Sequence, residues 1–377
     1  MLNRRKFIQT TTLTTSAIAL AKTKVFAVLT DNRGLKDYFK NDFKVGVALS
    51  SSILERNDPE LLGLAKHEFN SISPENALKW GPVNPKEDEW SFDVPDKFVA
   101  FGVENKMHIL GHVLVWHNQV PKDLFIDKNG KQVTKKELIR KMDKHITTLV
   151  SRYKGKINAW DVVNESITPE EHFRKSKWME VIGPEFMEHA YRLTHEIDPG
   201  CHLLYNDYGM NNPKRRQYVV DLINDYKKRG VPIHGIGMQG HYHLNSPPIV
   251  EIEKSIEAFA KTGMRVHFTE LDVDVLPQKG KQTAEVTTNI KYNKTLNPYV
   301  DGLPKEVEDR LSRRYEELFG LFLKHRDKID RVTFWGVTDD YSWKNNFPVR
   351  GRTNYPLLFD RNHRPKQAYY AVTGLKD

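Results

Sequence analysis

The chain has 377 residues, 39% of them hydrophobic and 28% charged. That excludes a small cross-linked module and fits a soluble body with a real core, either one large α/β barrel or two ordinary domains. The formal net charge of +9 includes five cations and no acid in residues 1–27 (Arg4, Arg5, Lys6, Lys22, Lys24), so +4 remains without them. The remaining basic residues are scattered rather than striped, which argues against a nucleic-acid partner. The single cysteine, Cys201, permits no internal disulfide and no cysteine metal cluster. It reads as a small core residue at the start of a buried strand.

In chain order, residues 1–27 read as an export signal. Paired arginines precede Phe7, an apolar, threonine-rich run covers Leu13 to Leu20, and Ala19-Leu20-Ala21 and Val25-Phe26-Ala27 each offer a cleavage site. The Arg4-Arg5 pair resembles a twin-arginine signal, although Asn3 stands where Ser or Thr is usual. The run is shorter than the ~20 residues of a spanning helix. Export to the periplasm or the exterior is therefore expected, with no membrane association of the mature form. Residues 28–42 read as an N-terminal arm and 43–377 as the folded domain.

Within that domain, short β-branched runs alternate with helical stretches. Strands are predicted at Val45–Leu49, Phe69–Ser73, His108–Val115, Ile157–Val163, His202–Asn206, Gly235–Gln239, Arg265–Thr269 and Val332–Val337. Amphipathic helices are predicted at Lys135–Arg152, Pro184–Ile197, Pro213–Arg229, Val250–Thr262 and Pro304–His325, with Pro184, Pro213 and Pro304 as starts and Gly230 and Gly263 as stops. Eight strands alternating with helices predict an α/β fold, a single (β/α)8 TIM barrel. The competing open sheet of the dinucleotide-binding kind lacks its Gly-x-Gly-x-x-Gly turn. Asp127–Thr134 and Pro277–Leu303 read as surface loops, the latter on the chemical face of a barrel.

Polar and aromatic residues cluster at the predicted strand ends: His112, Trp116 and His117 after strand three, Asn164 and Glu165 after strand four, Gln239 and His241 after strand six, Glu270 and Asp272 after strand seven, and Trp335 and Trp343 after strand eight. In a parallel barrel these ends share one face. Strands four and seven lie opposite across part of the mouth, so Glu165 and Glu270 can meet there. Two carboxyls about 5–5.5 Å apart suit retaining glycoside hydrolysis. Aromatic planes stack on the apolar faces of sugar rings, and Trp80, Trp116, Trp335, Trp343, Tyr208 and Tyr242 lie at or near strand ends. Trp160, inside its strand, reads as barrel core, whereas Trp335 and Trp343 read as exposed.

From Phe43 to Gly374 the chain resembles the family 10 glycoside hydrolases, the barrel-fold endo-xylanases, through Trp160–Glu165 and Thr269–Asp272 in order. The resemblance implies a retaining endo-β-1,4-xylanase acting on xylan and xylo-oligosaccharides, with Glu165 as acid/base and Glu270 as nucleophile. It implies that Asn164 bonds the sugar 2-hydroxyl and that His241 and Asp272 hold Glu270. It also assigns Glu75, Asn76, Lys79 and Trp80 to the glycone side, His112, Trp116 and His117 to the strand-three run, Gln239, Trp335 and Trp343 to the cleavage point, and Tyr208 to leaving-group stacking. No cofactor and no metal are expected, and a monomer is. Val113 and Gly209 depart from the usual Thr and Asn of the family. Three other readings stay open: a retaining β-glucanase with the same carboxylate pair, a metal-dependent hydrolase built on His241 and His243 or His112 and His117, and a non-catalytic carbohydrate binder.

Overall fold

The computed structural model describes residues 32–277 and 289–376, so the expected export segment and part of the loop after strand seven lie outside the described residues. The unit Leu35–Asp377 is built on eight parallel strands: β1 (Lys44–Leu49), β2 (Ser71–Pro74), β3 (His108–Val115), β4 (Ala159–Asn164), β5 (His202–Asp207), β6 (Gly235–Met238), β7 (Arg265–Asp274) and β8 (Ile329–Phe334). Each pairs with its neighbours in sequence order, and β8 pairs with both β7 and β1, which closes the ring. The single (β/α)8 barrel read from the sequence is the observed fold.

The connecting helices obey local rules. Thr134 caps the helix Lys135–Tyr153 by accepting from the Glu137 amide. That helix buries Leu138, Met142, His145, Ile146, Leu149, Val150 and Tyr153 along one stripe. Asn212 accepts from the Lys214 and Arg215 amides, with Pro213 in the first turn of the helix Pro213–Lys228. Gly230, at φ 62°, ends it. Packing inside the ring is tight at Gly111, where a Cβ would lie 2.2 Å from Trp160 Cε3. Trp160 is 1% exposed, the core residue the sequence predicts.

Most boundaries fall within two residues of expectation, and three features depart further. β8 begins and ends three residues earlier than the hydropathy placed it, because Arg331 is wholly buried inside the barrel and disguises the strand. β7 runs five residues further, because Asp272–Asp274 pair with the short strand His241–His243. Within the segment read as an arm, Leu35–Tyr38 forms a short helix, and Leu35 and Phe39 are fully buried, with Phe39 packing on Phe43 and Phe319. Among the described residues no helix is long and apolar enough to cross a membrane.

Candidate active site

The strands deliver their polar ends to one cleft of about 410 Å³, lined by Glu75, Asn76, Lys79, His112, Trp116, Gln119, Asn164, Glu165, Gln239, His241, Glu270, Trp335, Trp343, Asn346 and Phe347. Both glutamates are aimed by irregular backbone. The register of β4 shifts between Asp161 and Val163, and that of β7 between Phe268 and Leu271. Such shifts redirect side chains. Glu165 itself has φ 57°, a conformation that costs a non-glycine residue about 1–3 kcal/mol and persists only when its surroundings hold it. Here its amide donates to the Asn206 carbonyl at 2.9 Å, and Arg174 Nε donates to its carbonyl at 2.6 Å.

The two carboxyls are buried to similar degrees, 3% and 5% exposed, yet their environments differ. Glu165 accepts from Trp116 Nε1 and Gln239 Nε2, both at 2.9 Å. Burial pushes its pKa up; His117 and these two donors oppose the rise, and Asp207 adds to it. Glu270 accepts from Asn206 Nδ2 at 2.8 Å and faces His241 Nε2 at 3.1 Å. Burial would raise it as well, but the His241 hydrogen bond, the charges of His112 and His241, and the Asn206 donor outweigh burial and hold its pKa down. His241 turns its other nitrogen to Asp272 at 3.0 Å, and Asp272 also accepts from Trp343 Nε1 at 2.8 Å. Burial disfavours the imidazolium of His241, but the flanking carboxylates more than compensate and raise its pKa.

The cleft continues to one side. Lys79 Nζ donates to Asn76 at 3.1 Å and Gln119 at 2.9 Å and stands 5.0 Å from the Trp116 ring centre. Burial lowers its pKa, against the pull of Glu75, Glu270 and Glu165. His112 donates to or accepts from Asp161 at 2.9 Å, with its ring edge-on to Trp335. Asn164 lies within hydrogen-bonding distance of Asn206 and Gln239.

Four sequence-based expectations change. Trp80 does not face the cleft: it starts the short helix Trp80–Val83, is 4% exposed, and stacks on His145 with ring centres 3.8 Å apart. Tyr208 lies outside the cleft lining, its ring under the Arg215 guanidinium at 4.4 Å and its hydroxyl bonded to Arg174. Tyr242 is buried, with Arg314 over its ring. Trp335, read as exposed, is 5% exposed, though it lines the cleft. His117 is partly exposed, is not among those lining residues, and packs edge-on against Trp116. Both ring nitrogens of His241 are engaged by carboxylates, unlike a ready metal ligand.

Residues the sequence reading passed over are Asn206, Gln119, Asn346, Phe347 and Arg174. Asn206 carried the same sign as the others, a polar strand end in Tyr205-Asn206-Asp207. Gln119 and Arg174 sit in loops and carried none.

The family model for glycosyl hydrolase family 10 matches residues 34–375. The chain belongs to glycosyl hydrolase family 10. Among the family 10 relatives it resembles, the endo-1,4-beta-xylanase A of Xylanibacter ruminicola is 43% identical over 96% of this chain and 99% of that one. Of solved structures, a family 10 endoxylanase retrieved from a sugarcane soil metagenome superposes with TM-score 0.89 at 49% identity, covering 91% of this chain and all of that one. Xylanase XynB of Paenibacillus barcinonensis, complexed with a conduramine derivative, superposes with TM-score 0.83 at 35% identity, over 92% of this chain and 100% of that one.

Proposed function

We infer that this chain is an endo-β-1,4-xylanase that hydrolyses internal xylosidic bonds of xylan with retention of configuration. The observation that carries the chemistry is the divergence of two buried carboxyls in one cleft, one pushed toward its neutral form and the other toward its anion. Paired groups driven apart in this way take the roles of acid and nucleophile.

In the first step a Glu270 oxygen attacks the anomeric carbon, and the bond to the leaving oxygen breaks. Glu165 gives that oxygen its proton, so the leaving chain departs as a neutral alcohol. In the second step the Glu165 carboxylate takes a proton from water, whose oxygen displaces Glu270 from the sugar. Both carboxyls return to their starting states. Asn206 and His241 hold the two oxygens of Glu270 and stabilise its anion, with Asp272 and Trp343 behind His241. Trp116 and Gln239 orient Glu165. Asn164 serves the 2-hydroxyl of the sugar being cleaved, and Glu75, Asn76, Lys79, His112 and Trp335 surround that sugar and its neighbour.

The test is hydrolysis of xylan against carboxymethylcellulose, with the anomer released first read by proton NMR. Xylan should be strongly preferred and the β-anomer should appear first. Preference for the cellulose derivative would replace xylan with a β-glucan, and initial α-anomer would reject retention.

Residues 1–27 are proposed to direct export, and the mature enzyme to act as a monomer. N-terminal sequencing of exported protein should begin after Ala21 or Ala27, and light scattering should give the mass of one chain.

A further inference from the structure

At the opposite end of the barrel from the cleft, the strand beginnings bring together a second group of chemically capable side chains. His202 opens β5, His267 is third in β7 and Asp330 is second in β8. One ligand atom from each lies within 4.8 Å of the other two. His267 is 4% exposed, and neither of its ring nitrogens has a hydrogen-bond partner among the described residues. Nε2 of His202 is likewise buried and unpartnered, and the two rings stand 5.5 Å apart.

We propose that His202, His267 and Asp330 form a binding site for one divalent transition-metal ion that ties β5, β7 and β8 together at the barrel floor. Two imidazoles and a carboxylate are the donor set of zinc and its neighbours, not of calcium or magnesium. Ligands around a tetrahedral ion stand roughly 3.4 Å apart, so a small inward movement of the side chains completes the site. His202 Nε2 and both ring nitrogens of His267 are committed to no hydrogen bond among the described residues, so they are available as ligand atoms. Asp330 and His202 are partly exposed, which opens a path from solvent. Two cations work against the ion. Arg265 Nε holds Oδ1 of Asp330 at 2.6 Å, and Arg331 adds positive charge nearby. The affinity is accordingly lower than that of a closed structural zinc site, and the role is stabilisation rather than catalysis.

The test uses the full folded domain, stripped with EDTA and titrated with zinc chloride by calorimetry, with thermal unfolding in parallel. One zinc per chain should bind and raise Tm, while kcat on xylan is the same with zinc or EDTA. His202→Gln and Asp330→Asn should each weaken zinc binding at least tenfold and abolish the Tm rise while keeping parental kcat, which also reports that they fold. Glu257→Gln probes the other possible ion cluster, Glu253, Glu257 and His325, and should bind zinc like the parent. Absence of zinc binding, parental binding by both floor variants, or loss of binding in Glu257→Gln would overturn the proposal.

Discussion

At the mouth of the barrel His241 commits both ring nitrogens, one to Asp272 and one to Glu270, whereas at the floor His267 commits neither to any of the described residues. Both side chains are buried. At the mouth, carboxylates surround the imidazole and raise its pKa. At the floor, burial, Arg331 and other histidines push the imidazole pKa well below its usual value. The same residue type thus clamps two carboxyls at one end and presents unengaged ring nitrogens at the other. Burial alone does not decide which; the sign of the nearest charges does.

That contrast is open to direct attack. Glu270→Ala should give the largest effect, a fall in kcat on xylan of at least about 10⁴-fold, the upper end of what one positioned group contributes, with xylo-oligosaccharide binding retained by calorimetry. Activity near the parental level would remove Glu270 from the mechanism. Glu165→Ala should lower kcat by roughly 10²–10⁴-fold on xylan but spare the glycosylation step of aryl xylosides whose leaving groups need no proton. Equal losses on both substrates would count against the acid role. Trp80→Ala separates packing from binding: chemical denaturation should show a loss of about 3–5 kcal/mol for a buried tryptophan, while KM of the folded enzyme changes less than the stability does.

Trp116→Phe should cost about tenfold in kcat/KM, the worth of one hydrogen bond to a charged group. It should also move the basic limb of the pH profile upward. The sign follows from its N–H, which favours the Glu165 carboxylate; removing it raises a pKa that burial already raises, so the acid form survives to higher pH. An unmoved or lowered limb would separate Trp116 from that titration. At the floor, His202→Gln should leave kcat/KM within about twofold, the smallest effect of the series. A loss as large as that of Trp116→Phe would mean that the two ends of the barrel are coupled.

Much of the site was legible beforehand because barrel geometry sends every strand end to one face. Asn164, Glu165, Gln239, His241, Glu270 and Trp335 needed only that rule, and all line the cleft. Trp80 defeated it. Lying just beyond Glu75, Asn76 and Lys79, it reads as their companion, yet it begins a single helical turn that swings its ring inward onto His145. Tyr208 follows a strand end as predicted, but Arg174, 34 residues earlier, occupies its hydroxyl, and Arg215, seven residues later, covers its ring face. The three-residue shift of β8 has one cause, since a buried Arg331 carries no hydropathic sign of burial.

By itself the sequence determined the alternation of strands and helices, the starts and stops written in Pro213, Gly230 and Gly263, and the order of the two glutamates. These are local patterns, set by backbone preference and by the period of apolar residues. Only the tertiary structure decided which tryptophans face the cleft, how Asn206 and His241 divide the oxygens of Glu270, why one glutamate is pushed up and the other down, and that His202, His267 and Asp330 converge at the floor. Each of those depends on side chains from separate strands meeting in a space from which water is largely excluded, where a neighbour's charge and hydrogen bonds outweigh anything adjacent in the chain.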